Sequence, residues 1–103
     1  MKADKKDKKN FLKFRGKPLV RSGNTIYYGD INDRFIAEMQ IKSSYDLNGM
    51  KIAEKILVLL VDSKLSEGEN KKIIKMSEKS GLYNALNTGG MWLDSAKEFQ
   101  MQG

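Results

Sequence analysis

The side chains in this sequence best suited to chemistry are cationic and aromatic. Lys71, Lys72, Lys75 and Lys79 recur at spacings that would align them as one stripe on a helix, opposite Ile73 and Ile74. Like charges so placed repel by about 0.2–0.5 kcal/mol per pair, so a partner that neutralises them, such as a polyanion, fits the pattern. A second set lies upstream. Lys13, Arg15, Lys17 and Arg21 are interleaved with Phe11, Phe14, Tyr27 and Tyr28, and no acidic residue intervenes before Asp30. Single-stranded nucleic acid is recognised by this combination, since bases stack on rings while cations follow the phosphates. Trp92, with Tyr83 and Phe99, joins Tyr27 and Tyr28 as candidate interaction aromatics, because Trp and Tyr at a sheet rim make good binding anchors. Each set also has a plainer reading. Lysine is a good helix former whose solvated faces are common, and aromatics in short strands are more often core or cross-strand partners.

The chain has no histidine and no cysteine. Disulfides, thiolate or imidazole metal ligands and every His- or Cys-dependent nucleophilic triad are thereby excluded. Carboxylates, lysine or tyrosine remain as acids and bases, but no motif selects any of them, so no catalytic residue is assigned and an enzyme is not expected. Thr88-Gly89-Gly90 resembles a minimal anion-binding helix start, but lacks the further glycines and the lysine of a phosphate loop. A helix break is the simpler expectation. Asp30 and Asp33 could share a divalent cation, yet Asp30-Ile31-Asn32-Asp33 lacks the length and glycine position of a calcium loop and reads as a turn. No metal or cofactor is therefore expected.

The elements that must carry these residues divide the chain in two. Short extended runs with turn residues between them begin at Phe11, and Gly23-Asn24 suits a two-residue hairpin between Leu19-Val20 and Ile26-Tyr27-Tyr28. From Phe35 the chain alternates: Phe35, Ala37, Met39 and Ile41 share one face, and Glu38, Gln40 and Lys42 the other. Asn48-Gly49 is the strongest hairpin signal. Beyond it, Ile52 to Val61 reads as a central strand, apolar on both faces from Ile56. A buried helix is the alternative there; β-branched content and the preceding Asn-Gly favour the strand. Ser66 and Glu69 have capping-box spacing, so a helix is expected from Ser66 to Gly81, where glycine would end it. A short helix over Leu82 to Leu86, stopped by Gly89-Gly90, and a last one from Met91 to Phe99 complete the expectation. The fold class is then α+β: an antiparallel sheet of about five strands (residues 11–62) followed by about three helices (residues 66–100) packed on it.

The 103 residues suffice for one core, with 40% apolar and 31% charged residues, an ordinary globular mix. The net charge is +6, but residues 1–10 hold five lysines against two aspartates and no apolar residue after Met1. Half the excess thus belongs to an expected disordered basic tail ahead of a single domain over 11–103, whose body is only mildly basic. The longest apolar run, Ile56 to Val61, is far shorter than the roughly 20 residues of a bilayer span, and no apolar segment follows the first lysines. Neither membrane insertion nor secretion is expected, and the cytoplasm is the default location.

Gly16-Lys17-Pro18-Leu19-Val20-Arg21-Ser22-Gly23-Asn24-Thr25-Ile26-Tyr27-Tyr28-Gly29-Asp30, then Ser77-Glu78-Lys79-Ser80-Gly81-Leu82-Tyr83-Asn84-Ala85-Leu86 and Trp92-Leu93, resemble a group of small uncharacterised bacterial proteins of the Firmicutes type. The resemblance covers about residues 11 to 96. It implies a bacterial cytoplasmic protein and carries over no functional residue. The reading that fits best is a noncatalytic module contacting another protein, with the N-terminal strands expected to form an open sheet edge able to accept another strand. Polyanion binding through the basic hairpin and the lysine stripe is the alternative, and self-assembly a further possibility.

Overall fold

A computed structural model describes residues 12–30, 32–68 and 70–102, the last four by backbone alone. The expected tail, Phe11, Glu69 of the capping box and the Phe99 side chain lie outside the described residues. Six strands follow one another: β1 (Leu12–Phe14), β2 (Lys17–Ser22), β3 (Thr25–Tyr28), β4 (Phe35–Leu47), β5 (Met50–Glu67) and β6 (Asn70–Ser80). One helix, α1 (Leu82–Gln102), comes last. The strands form a single antiparallel meander in chain order, so every neighbour in the sheet is a neighbour in sequence.

The turns are where the glycine and asparagine signals put them. Ser22 pairs with Thr25 across Gly23-Asn24, and Leu47 with Met50 across Asn48-Gly49, whose φ values of 52° and 83° are those of a primed two-residue turn. Arg15-Gly16 makes a third such turn, with φ of 54° and 82°. The alternation in β4 is realised. Ala37 and Met39 lie in the core, opposite Leu60 and Val58 of β5 and Tyr28 and Ile26 of β3. β5 is paired on both sides and apolar on both faces, as its composition requires.

The C-terminal half differs from expectation. Residues 70–80 are a strand, not a helix, so the sheet has six strands and the helices number one among the described residues rather than three. The reason is tertiary. Ile73 and Ile74 are β-branched, the lysines weigh little either way, and β5 offers a long apolar strand whose second edge needs a ladder. Ser66 does accept a backbone N–H, but from Lys72 across the β5–β6 connection at 2.9 Å, not from a helix. Gly81 starts a helix instead of ending one: its φ is 85° and its carbonyl accepts from the Ala85 N–H.

Gly89-Gly90 likewise interrupts nothing. Leu82, Ala85, Leu86, Gly89, Leu93 and Ala96 keep one continuous helical stripe, and α1 packs across β3, β4, β5 and β6. A Cβ on Gly89 would stand 2.8 Å from Met39 Cε and 3.1 Å from Ala37 Cβ, so the absent side chain is what lets the helix backbone rest on the sheet. At Gly90 a Cβ would meet only Tyr28, at 3.6 Å or more. Helix interiors disfavour glycine by about 0.8–1 kcal/mol relative to alanine. Gly90→Ala should therefore raise the Tm in a circular-dichroism melt, whereas Gly89→Ala should lower it; equal rises would show that close packing is not what holds Gly89.

Candidate functional site

Cross-strand partners point to the same side of a sheet, so the register assigns every strand residue to a face. One face carries Tyr28, Ala37, Met39, Ile56, Val58 and Leu60 and is covered by α1. The other runs from Val20 through Tyr27, Glu38 and Leu59 to Met76 in a single cross-strand row, and has no helix on it among the described residues.

The basic and aromatic residues singled out by type do not gather on one surface. Tyr28 is core, 1% exposed, and its hydroxyl donates to the Phe14 carbonyl at 2.7 Å. Burial pushes its phenol pKa up, against the opposing pull of Lys17 and Arg15. Tyr27 faces the opposite side and is partly exposed. Trp92 is half-buried against the core, with the Lys75 ammonium 5.8 Å from its ring centroid. Arg15 lies against the rings of Phe14 and Tyr83 and donates to the Tyr83 hydroxyl at 2.8 Å. Lys17 pairs with Asp94 of α1 at 2.9 Å. Arg21 closes its own turn by donating to the Gly23 carbonyl, and Lys13 is exposed on β1.

The four lysines of β6 are also divided. Lys71 reaches the uncovered face and pairs with the buried carboxylate of Glu38, which also accepts from Gln40. That hydrogen bond holds the Lys71 ammonium pKa above its ordinary value, against the cost of partial burial. Lys79 and Lys75 stand opposite Ile56 and Leu60, on the helix side. A register irregularity between Lys75 and Ile73 brings Lys72, opposite Asp62, to that same side. Lys72, Lys75 and Lys79 thus form a row along the sheet edge, none within ion-pair distance of a carboxylate among the described residues.

Two further features come only from the tertiary structure. A cavity of about 600 Å³ opens where the β1–β2 turn meets the β3–β4 connection and α1, and its lining includes Arg15, Lys17, Lys97, Asp30, Asp33 and Leu93. It is polar and of mixed charge. Asp30 itself accepts from the Asn32 N–H, and the Asp33 N–H donates to the Asp30 carbonyl, so this segment is a turn. The second feature is a projecting arm. β4 leaves β3 after Ile41 and β5 leaves β6 before Lys55, so residues 43–53 form a two-stranded ribbon paired only with itself. Tyr45 is opposite Ile52 and Leu47 opposite Met50, which puts four apolar side chains on one side of it. Tyr45, Leu47 and Met50 are 49%, 53% and 64% exposed. The Asn-Gly turn announced this hairpin; that it would outrun the sheet depends on strand lengths no local signal specifies.

Among the described residues no helix is long and apolar enough to cross a membrane, and no group of three or more acidic side chains is arranged to hold a metal ion. Comparison with protein-family models, with curated proteins and with solved structures finds no match.

The β5–β6 end of the sheet is organised by Asp62, 1% exposed. Arg34 donates to both its oxygens at 2.9 and 2.8 Å, and the Lys64 and Leu65 N–H groups donate to Oδ1. The Arg34 hydrogen bond, foremost, holds the carboxyl below the ordinary aspartate range, overcoming desolvation. Because the folded-state pKa is the lower one, this contribution to stability is full above roughly pH 4 and is lost as pH falls through the depressed value. Asp62→Asn should lower the Tm at neutral pH by on the order of 10 °C. The gap to the wild type should close progressively below about pH 4; a gap independent of pH would remove the carboxylate from the account.

Proposed function

We propose that this chain is a small noncatalytic binding module that contacts another protein, and that the β4–β5 arm is the contact. The observation that carries the reading is the arm's one apolar side, Tyr45, Leu47, Met50 and Ile52, on a ribbon with no neighbour in the sheet. A two-stranded ribbon is marginal by itself in water, and exposed side chains of this kind lose nothing by being covered. Clustered aromatic and Met side chains are also what interface centres are enriched in. The absence of histidine and cysteine supports the noncatalytic part. A bacterial cytoplasmic setting, and kinship with small uncharacterised Firmicutes-type proteins, belong to the same reading and rest on the segments that resemble that group.

Polyanion binding is the second reading, favoured by the row of Lys72, Lys75 and Lys79, which has no carboxylate partner among the described residues, with Lys75 over Trp92. It draws less from the N-terminal hairpin, where Arg15 and Lys17 already have partners and Tyr28 is core. Fluorescence anisotropy against single-stranded DNA and RNA should then show binding that weakens steeply with salt.

Affinity purification from the source cells, tagged at either end, should recover one stoichiometric partner. The double variant Leu47→Ser with Met50→Ser should lose it while keeping the wild-type circular-dichroism spectrum. Failure to recover a partner with both tags, or retention by the double variant, would overturn the assignment of the arm.

A further inference from the structure

β6 is the last strand of the sheet, and among the described residues nothing pairs with its outer edge. Along its eleven residues, alternate backbone N–H and C=O groups therefore point outward without a strand partner, and apart from the Ser80 carbonyl, which accepts from Asn84 Nδ2 at 2.8 Å, they are a template for one more strand. Native edges of this kind are commonly guarded by lysine. Here the guard is one-sided. Lys72, Lys75 and Lys79 share the helix side with Ser77, and among the described residues no carboxylate lies within ion-pair distance of them. Asp62, which lies opposite Lys72, is committed to Arg34. Glu78 lies on the other side, opposite Leu57. That other side presents Ile73 and Met76, opposite Val61 and Leu59, both exposed large apolar residues.

An added strand must therefore meet positive charge on one of its faces and apolar surface on the other. We infer that the β6 edge accepts an extended acidic segment of another protein by strand addition, with Glu or Asp alternating with β-branched or other apolar residues. Cross-strand opposite charges stabilise such a pair, and like charges directly opposite destabilise it. The same rule excludes the simplest competitor. A second copy of this chain would bring another β6 edge, four lysines to one glutamate, against the first. Main-chain hydrogen bonds would supply affinity and the alternating side chains the selection, the general logic of β-strand addition. The inference goes beyond the reading of the arm and does not require it, since β6 and residues 43–53 are separate surfaces.

Trp92 is the sole tryptophan and lies under Lys75, so its fluorescence reports on this edge. The full-length chain is titrated with a synthetic peptide of alternating Glu and Val, with the same peptide N-methylated at every second residue, with a peptide of the same composition whose glutamates are clustered, and with oligo(dT). Saturable binding of the alternating peptide is expected, weakened at least about tenfold by N-methylation, which removes the ladder donors, and similarly by clustering. The triple variant Lys72→Glu, Lys75→Glu, Lys79→Glu should lose the Glu-Val peptide and gain an alternating Lys-Val one. Lys71, paired with Glu38, is left intact, and a circular-dichroism melt verifies the fold. Should the triple variant not fold, Lys79→Glu alone, at the end of the row, should still weaken binding severalfold. Equal binding of the N-methylated or clustered peptides, or displacement by oligo(dT), would overturn strand addition in favour of nonspecific polyanion attraction. No binding at millimolar peptide would overturn it in favour of lysines that only guard the edge. A partner captured through the arm with no peptide bound at β6 would leave the module reading standing and sink this one.

Discussion

The contact on which the rest of this structure depends is the approach of α1 to the sheet at Gly89. A meander of six strands presents two faces, and the chain has a single helix among the described residues with which to cover them. Because Gly89 has no side chain, the helix backbone can sit directly on Ala37 and Met39, and Leu86 and Leu93 to either side reach into the same cluster as Ile56, Val58 and Leu60. The small residues on both partners, Gly89 and Ala37, set how closely helix and sheet approach. Close packing of this kind turns an amphipathic helix on a sheet into one well-defined core.

A consequence is the asymmetry of the sheet. The face away from α1 must solve its own burial problem with what the strands provide. It does so around Glu38, which is buried, stands between Tyr27 and Leu59 in the cross-strand row, and is matched by Lys71 from the far strand and Gln40 from its own. A buried carboxylate is tolerated only when paired and hydrogen-bonded, and Lys71 is therefore a structural cation. At the end of the same strands, Asp62 and Arg34 do the equivalent on the helix side, tying the residue before β4 to the C-terminal part of β5. Part of the positive charge counted from composition is occupied in this way, with Lys17 on Asp94 as a further case, while Arg15 is held by hydrogen bonding to the Tyr83 hydroxyl. Among the described residues the edge row of β6, Lys72, Lys75 and Lys79, has no carboxylate partner, as is true of exposed lysines elsewhere such as Lys13 and Lys42. That edge and the arm beyond β3 are what the fold leaves uncovered, and both expose backbone or apolar groups without partners among the described residues.

The N-terminal half of the fold was legible because its signals are local. Gly23, Asn48 and Gly49 take the positive φ of tight turns at little cost whatever surrounds them, and the alternation from Phe35 to Ile41 needs one buried face only. The C-terminal half misled for an equally physical reason. Ser66, the lysines and Gly81 are each compatible with a helix, and a short segment of mixed propensity takes the structure its neighbours can pair with. The stripe of Leu82, Ala85, Leu86, Leu93 and Ala96 did hold the information that α1 is continuous, since its period is unbroken across Gly89. Two adjacent glycines mask that continuity, because a glycine needed for close approach and a glycine that ends a helix look identical in sequence.

The candidate residues show the same division. By itself the sequence determined the residue types: no imidazole or thiol for chemistry, a cationic excess, hairpins at two Asn- and Gly-containing turns, and an apolar strand that must be paired on both sides. Only the tertiary structure decided which lysines are neutralised, that Tyr28 is core while Tyr27 is partly exposed, that three of the β6 lysines share one side, and that residues 43–53 project. These properties depend on the register between strands and on strand lengths relative to neighbours, which are set by nonlocal pairing and by one helix resting on one glycine, not by any residue's own preference.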